Sequence, residues 1–150
     1  MDLFRMFDLS AGGMGAQRTR MSVVAGNLAN VDTTRTPEGG VYRRRNVIFR
    51  AVPLGQTFST MMATSLRDQS QGFLTVEVAG IHESSKPPRR VYDPRHPDAD
   101  AQGYVSYPDI NSIEEMVDLL SAVRSYEANL AAFNATKTLI RRLLDIGRAP

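Results

Sequence analysis

Four side chains that could bind a metal lie within eight residues of one another in the middle of the chain: Asp93, His96, Asp98 and Asp100. One imidazole and three carboxylates could together hold a divalent cation. Their spacing matches no metal-binding motif, however, and the Asp-Pro and Pro-Asp pairs of this stretch are typical of turns in which the carboxylate accepts backbone N–H groups. The sequence therefore favours a turn here, and we predict no metal.

The other candidates for catalysis are weaker. The chain has no Cys, which excludes disulfides, thiol catalysis and Cys-based zinc sites. It contains no Gly-x-Ser-x-Gly elbow, no phosphate-binding loop and no HExxH motif, and neither His82 nor His96 has a context that makes it a base. Glu114 and Glu115 stand at a predicted helix start, where capping accounts for them. We therefore predict that the protein is not an enzyme and binds no cofactor.

Basic residues are concentrated in the first third of the chain. Residues 1–50 carry eight Arg against four acidic residues, although the net charge of the whole chain is only +2. The local cluster consists of Arg43, Arg44, Arg45 and Arg50. A nucleic-acid site would need aromatic platforms or a groove-reading helix beside it, so a solvated or ion-paired strand face explains the cluster better. We predict no nucleic-acid partner.

The first segment is predicted as a long helix. Its apolar residues recur at alternating spacings of four and three, a heptad seam typical of a coiled coil. Glycines weaken this helix, because each costs about 1 kcal/mol relative to Ala, and we expect a break or bend near Gly12 and Gly13. The seam positions are Leu3, Phe7, Ser10, Met14, Gln17, Met21, Val24, Leu28 and Val31.

The last segment is predicted as the stronger helix, because residues 109–146 contain neither Gly nor Pro. Ser112 stands three residues before Glu115, as in a capping box. Acidic residues gather near its start and Arg141 and Arg142 near its end, which complements the helix dipole. The seam positions are Met116, Leu119, Val123, Tyr126, Leu130, Phe133, Lys137, Ile140 and Leu144. No apolar run reaches the roughly 18 residues of a membrane span.

Between the two helices lies a Pro-rich region, since seven of the eight prolines fall between Pro37 and Pro108. Residues 74–78 alternate apolar and polar side chains as a strand does, and residues 55–71 are predicted as a mobile loop. The further strand candidates are residues 41–49 and 104–107, and turns are predicted at residues 37–40, 87–88 and 93–94. The sequence thus predicts a mainly α fold with a small β-containing middle region.

Several longer strings identify a family. The segment Gly13-Met14-Gly15-Ala16-Gln17-Arg18 leads into Asn27-Leu28-Ala29-Asn30 and then Thr33-Thr34, and with these strings the chain closely resembles the bacterial flagellar axial family of rod, hook and hook-associated proteins. Thr36-Pro37-Glu38-Gly39-Gly40 narrows the resemblance to one type of rod protein. The match covers nearly the whole chain and is weakest over residues 50–71. Gly26 is a departure, since relatives more often carry Ala or Asn there.

The resemblance implies both a fold and a function. Family members pair long N- and C-terminal helices as an antiparallel coiled coil, which packs with neighbouring subunits into the core of a tubular axle. We therefore expect residues 1–36 and 109–150 to form a core domain, with residues 37–108 outside it. The expected function is that of a structural subunit of the proximal rod of the flagellar basal body, which transmits torque from the rotor to the hook.

The resemblance also implies partners and a location. The expected partners are other copies of the chain, other flagellar rod proteins and the flagellar type III export apparatus. The expected location is the basal body in the cell envelope, reached without a cleaved signal peptide. The N-terminus agrees with this expectation, because it shows no continuous apolar core followed by a small-residue cleavage site.

Subunit contacts are expected along the two seams. The predicted interface residues are Met14, Met21, Val24, Asn27, Leu28, Asn30, Met116, Leu119, Val123, Tyr126, Leu130 and Phe133. Of these, Asn27 and Asn30 are also interpreted, with Thr33 and Thr34, as backbone-capping and turn residues. Two alternatives stay open: a helical adaptor or export chaperone of the flagellar system, and a peptidoglycan-acting enzyme that would need an acid–base pair in the segment around His96.

Overall fold

Two helices and four strands make up the part of the chain that the computed structural model describes, namely residues 3–54 and 73–146, with side chains from Arg5 onward. Their order is α1 (Leu3–Ala29), β1 (Arg45–Pro53), β2 (Leu74–Glu83), β3 (Arg89–Tyr92), β4 (Tyr104–Tyr107) and α2 (Ser112–Ile146). The mainly α fold with a small β-containing middle region is therefore confirmed. The predicted loop at residues 55–71 lies outside the described residues.

Helix α1 runs without interruption through Gly12 and Gly13, so the predicted break is wrong. Its glycines allow close packing instead. A Cβ atom placed at Gly12 would lie 2.3 Å from Oγ1 of Thr75 on β2, and one placed at Gly13 would lie 2.9 Å from Oδ1 of Asn129 on α2. These tertiary contacts offset the low helix propensity of the two glycines.

The N-terminal cap of α2 is Asn111, and the predicted capping box of Ser112 and Glu115 is wrong. Oδ1 of Asn111 accepts the backbone N–H of Ile113 at 3.1 Å, and the Asn111 side-chain amide donates to Oε1 of Glu114 at 3.1 Å. The cap is thus displaced by one residue. The reason is tertiary, because the carboxylate of Glu115 is buried against other elements and is not available to cap the helix.

The strands form two separate two-stranded sheets, β1 with β2 and β3 with β4. The N–H of Ser84 bonds to the carbonyl of Arg44 at 2.7 Å, and that of Leu54 bonds to the carbonyl of Phe73 at 2.8 Å. Residue numbers rise along β1 while those of the paired residues on β2 fall, so β1 and β2 are antiparallel. The second sheet is also antiparallel, with the backbone of Tyr92 opposite that of Tyr104.

The sequence located three of the four strands. The candidates at residues 74–78 and 104–107 are confirmed as β2 and β4, although β2 continues to Glu83. The candidate at residues 41–49 is displaced, because β1 begins only at Arg45. Strand β3 was not predicted. The turn at residues 37–40 is confirmed, and its Gly39 and Gly40 have φ angles of +90° and +87°, which favour glycine.

The described contacts group into two compact units. The first consists of Met1–Arg18, Phe49–Ala79 and Arg124–Pro150, and the second of Thr19–Ile48 and Gly80–Val123. In the first unit the ring of Phe7 packs edge-on against that of Phe133, with centroids 4.7 Å apart.

In the second unit the side chains of Val24, Val105 and Ala122 are buried. Within the described residues, no helix combines the length and the apolar character that crossing a membrane requires.

Candidate assembly site

Asn27, near the end of α1, lies in a buried polar cluster of the second unit. Its side chain is 1% exposed. The amide Nδ2 donates to Oε2 of Glu115 at 2.9 Å and to the carbonyl of Arg45 at 2.8 Å. Oδ1 accepts the backbone N–H of Arg45 at 2.9 Å and the hydroxyl of Tyr42 at 3.1 Å. Both donors and both lone pairs of the amide are therefore satisfied.

Glu115, in the first turn of α2, provides the charge of the cluster. The residue is 1% exposed, and its Oε1 accepts a hydrogen bond from Nε of Arg44 at 2.6 Å. Nη2 of Arg44 lies 3.7 Å from Oδ2 of Asp118, whose Oδ1 pairs with Nη2 of Arg20 at 3.1 Å. A buried carboxylate is costly unless it is paired and hydrogen-bonded, and here it has both. We call Asn27, Tyr42, Arg44 and Glu115 the Asn27 cluster.

Tyr42 closes the cluster on the side of β1. Burial raises the pKa of its hydroxyl, and the positive charge of Arg45 opposes this shift. The protonated hydroxyl donates to Asn27. Burial favours this protonated form, and the raised pKa expresses that preference. The side chains of Tyr42 and Arg44 both point back to the helices, where they contact Asn27 and Glu115.

The residues that follow α1 act as the sequence suggested. Nδ2 of Asn30 donates to the carbonyl of Gly26 at 2.8 Å, and the hydroxyl of Thr33 donates to Oδ1 of Asn30 at 3.1 Å. The hydroxyl of Thr34 donates to Oδ2 of Asp98 at 2.7 Å. Asn30 is thus confirmed as a capping residue and Thr33 as a turn residue, since the N–H of Thr33 also bonds to the carbonyl of Asn30 at 3.1 Å. Asn27 instead joins three elements.

An apolar stripe lies on the outer face of α2 at the spacing i, i+3, i+4 and i+7. It consists of Ile113, Met116, Val117 and Leu120, which are 71%, 51%, 61% and 58% exposed. All four belong to the second unit. Clustered apolar side chains with this exposure mark an interaction surface. Further along α2, Leu130, Leu139, Leu143 and Leu144 are exposed as well.

The inward face of α2 differs from the predicted seam at alternate positions. The best-covered side chains follow the four-and-three spacing Glu115, Leu119, Ala122, Tyr126, Asn129, Phe133, Thr136 and Ile140. Four of these positions were predicted. The other four covered positions are Glu115, Ala122, Asn129 and Thr136. Each lies one residue before a predicted seam position, namely Met116, Val123, Leu130 and Lys137. Met116 and Leu130, predicted at the seam, are therefore exposed.

The remaining predicted interface residues lie at intermediate depth. Val24 is buried, and the others are half-buried: Met14, Met21, Leu28, Asn30, Leu119, Val123, Tyr126 and Phe133. Sequence reasoning missed Tyr42, Arg44 and Glu115 as site residues. Glu115 could have been found from its spacing, because it lies four residues before the seam position Leu119 and thus keeps the four-and-three pattern. A search for apolar residues alone selects Met116 instead.

The segment from Asp93 to Asp100 forms a turn, as favoured. Oδ1 of Asp93 accepts the N–H of Arg95 at 3.2 Å, and Nδ1 of His96 accepts the N–H of Asp98 at 3.1 Å. Asp100 accepts the N–H groups of two residues that follow it. Across the described parts of the chain, no three His or acidic side chains are placed to hold a metal.

The Arg cluster forms ion pairs, which was one of the two surface interpretations. Arg45 pairs with Glu83 at 3.1 Å, and Arg50 pairs with Glu77 at 3.0 Å. Arg44 pairs with Glu115 as described above. These guanidinium groups are therefore used within the chain.

Known proteins similar to this chain match it over nearly its whole length. Residues 7–35 match the family described as flagella basal body rod protein, and residues 101–146 match the C-terminal family of the flagellar basal body rod FlgEFG proteins. The flagellar basal-body rod protein FlgC of Bacillus subtilis is 41% identical over 99% of this chain and 100% of its own length. FlgC of Borreliella burgdorferi is 40% identical over 97% of this chain and 98% of its own length. FlgC of Salmonella typhimurium is 36% identical over 99% of this chain and 100% of its own length. The chain therefore belongs to the FlgC family of flagellar basal-body rod proteins.

Proposed function

We propose that this chain polymerises through its two terminal helices into the proximal rod of the flagellar basal body and transmits torque from the rotor to the hook. As a FlgC protein it is a structural rod subunit of the basal body and not an enzyme. The proximal position, the torque and the mode of polymerisation are the parts that we infer.

The apolar stripe of α2 is the observation that carries this proposal. Its four side chains are each more than half exposed, although they repeat at the spacing of a helix-packing face. Among the described residues only five apolar side chains are buried: Ala16, Val24, Val105, Pro108 and Ala122. A subunit with so small a core and so much exposed apolar surface gains stability when neighbouring subunits cover that surface.

We also infer that α1 and α2 pair as an antiparallel coiled coil. In the first unit Phe7 contacts Phe133, and Gly13 approaches Asn129. In the second unit Arg20 contacts Asp118, and Asn27 contacts Glu115. Within each unit, residue numbers that rise along α1 meet numbers that fall along α2. The four-and-three spacing of the covered positions on α2 supports the same pairing.

In the assembled rod we propose that residues 1–36 and 109–150 form the core domain and that residues 37–108 lie outside it. The proposed partners are further copies of the chain, other rod proteins and, before assembly, the flagellar type III export apparatus. Of the predicted interface residues, Met116 and Leu130 have the exposure that a contact with a neighbour needs. Val24 and Asn27 are covered within the chain.

The test is deletion of the gene, followed by electron microscopy of purified basal bodies. We expect the membrane-embedded ring to remain while rod, hook and filament are lost, and the intact gene to restore all three. A gene carrying Val117→Asp and Leu120→Asp should fail to restore them, because charges on the apolar stripe oppose burial. Ser121→Asp, an exposed position next to the stripe, is the matched control. Complete rods in the deletion strain would contradict the proposal and favour an adaptor or export chaperone.

A further inference from the structure

The Asn27 cluster places polar groups where a coiled coil normally places apolar ones. Asn27 and Glu115 are each 1% exposed, and both lie where α1 meets the start of α2. Replacing a buried ion pair with apolar residues is often neutral or stabilising, because the desolvation of the charges offsets their attraction. Glu115 forms such an ion pair with Arg44, while Asn27 is neutral. Gain in stability is therefore a poor explanation for the buried charge, whereas a single polar residue in a coiled-coil seam specifies how the helices pair.

Helix α2 carries two candidate seams that differ by one residue. The covered positions in the second unit include Glu115 and Ala122, while Met116 and Val123 directly follow them. One residue corresponds to a rotation of about 100° around a helix with 3.6 residues per turn. A rotation of part of that angle would bury Met116 and Val123. By the hydrophobic effect alone, the seam with Met116 and Val123 is the better one.

The observed rotation is the one that the Asn27 cluster requires. The side-chain amide of Asn27 must contact the carboxylate of Glu115 on one side and the backbone N–H and carbonyl of Arg45 on the other. If α2 turned to bury Met116, the carboxylate would leave the amide and Arg44, and the polar groups of Asn27 would lose a buried partner. An unsatisfied buried polar group is costly, so the cluster disfavours the apolar alternative.

We propose that Asn27 and Glu115 set the rotation of α2 and thereby keep its apolar stripe on the outside for neighbouring subunits. The two residues determine specificity: they select one of two helix settings and add little net stability. This inference rests on the proposed function, because an outward apolar stripe is useful only to a protein that assembles. On this proposal, a buried polar contact inside the subunit determines which face of α2 is available for polymerisation.

Thiol labelling of the purified chain tests the rotation, and the absence of native Cys makes each reporter unambiguous. Met116→Cys reports the stripe, and Val24→Cys reports the buried side of α1, where Val24 is 6% exposed. In the chain with an intact cluster, the stripe thiol should react quickly with a maleimide and the α1 thiol slowly. In the variant Asn27→Ala/Glu115→Ala, which removes the polar groups without making the observed seam strongly apolar, the labelling rate of the stripe thiol should fall at least tenfold, while the α1 thiol stays protected.

The matched control is Asn46→Ala/Glu127→Ala, which changes the same residue types at two exposed positions outside the cluster and outside the helix caps. It should leave both labelling rates unchanged. Fast labelling of both reporters in the Asn27→Ala/Glu115→Ala variant would show that the cluster supplies stability instead, and would overturn the proposal. Unchanged rates with intact helical circular dichroism would overturn it too. These rates do not depend on rod formation, so they are separable from the outcome of the gene deletion.

Discussion

The side-chain amide of Asn27 and the carboxylate of Glu115 lie 2.9 Å apart, each 1% exposed, on helices that begin and end the described chain. The same amide pairs with both backbone groups of Arg45, in the manner of a neighbouring strand. One buried residue thus joins α1, α2 and the first residue of β1. Because the carboxylate also binds Arg44, its charge is compensated within the chain.

Glu115→Gln should destabilise the subunit by about 2 kcal/mol, the usual range for a hydrogen bond to a charged group. The substitution keeps the shape but removes the negative charge beside Arg44, and the new NH₂ group competes with the Asn27 donor. Urea unfolding followed by far-UV circular dichroism measures the loss. Glu114→Gln is the control, because Glu114 is exposed. Equal effects of the two substitutions would contradict a special role for the buried carboxylate.

Gly12→Ala should destabilise the chain although alanine is the better helix former. The added methyl group would lie 2.3 Å from Oγ1 of Thr75, and overpacking of this kind costs about 1–3 kcal/mol. Oγ1 of Thr75 is buried without a hydrogen-bond partner among the described residues, so Thr75→Ala alone should cost little.

A double-mutant cycle with Thr75→Ala tests that contact, because Thr75→Ala removes the clashing atom. The urea midpoint of Gly12→Ala/Thr75→Ala should return to that of Thr75→Ala or exceed it. Gly15→Ala is the control for helix propensity, since no atom of the described residues lies within 4 Å of a Cβ built there. A double variant no more stable than Gly12→Ala would show that the destabilisation has another source.

The two helices and most strands could be predicted because they depend on local signals, although α1 ends at Ala29, before the seam position Val31, and the cap of α2 is displaced by one residue. Pro37 follows α1 and Pro108 precedes α2, and the turn at residues 37–40 follows from Pro-Glu-Gly-Gly. The continuity of α1 through Gly12 and Gly13 could not be predicted, because it depends on Thr75 and Asn129, which are distant in the chain. Propensity indicated a break, and tertiary packing reversed that outcome.

The candidate site was only half predictable, for a different reason. A heptad pattern identifies the seam by its apolar residues, and α2 has apolar residues on the face that contacts α1 and on the face beside it. Glu115 and Thr136 are buried where the pattern predicted Met116 and Lys137. An apolar residue on an assembling helix can serve a neighbour instead of its own core, and one sequence does not separate the two uses.

Gly26→Ala should stabilise the subunit by about 1 kcal/mol, the difference in helix propensity between the two residues. The nearest described atom to the added methyl group is the hydroxyl oxygen of Tyr42 at 4.0 Å, an ordinary contact. The rise in the urea midpoint measures the gain. A fall in the midpoint would contradict this prediction, because it would mean that the methyl group strains the packing around Tyr42 by more than the gain in helix propensity.

The stability of the chain should fall at alkaline pH through Tyr42. Burial raises the pKa of Tyr42 above its usual value of 10.0, so the folded state holds the proton more tightly than the unfolded state does. This contribution is fully present below pH 10.0 and is lost as the pH rises through the folded pKa. Unfolding free energies across this range measure the effect, and Tyr42→Phe should reduce their slope. An unchanged slope would contradict the assignment.

At acid pH the corresponding group is Asp100, whose pKa lies below its usual value of 3.8. The main cause is the backbone N–H of Tyr104, 2.9 Å from its Oδ1, assisted by the N–H of Gln102 and by Arg90. The folded state therefore favours the ionised carboxylate. Its contribution to stability is complete above pH 3.8 and disappears as the pH falls through the folded pKa.

Asp100→Asn tests this assignment because it removes the charge and keeps the shape. The variant should be less stable than the wild type at neutral pH, and the difference should shrink as the pH falls below 3.8. Asp32→Asn, which removes an exposed carboxylate elsewhere, controls for the change in net charge. NMR titration of the Asp100 carboxyl carbon gives the pKa directly. A value at or above 3.8 would show that the turn bonds do not favour the ionised form, and the link between this turn and acid stability would fail.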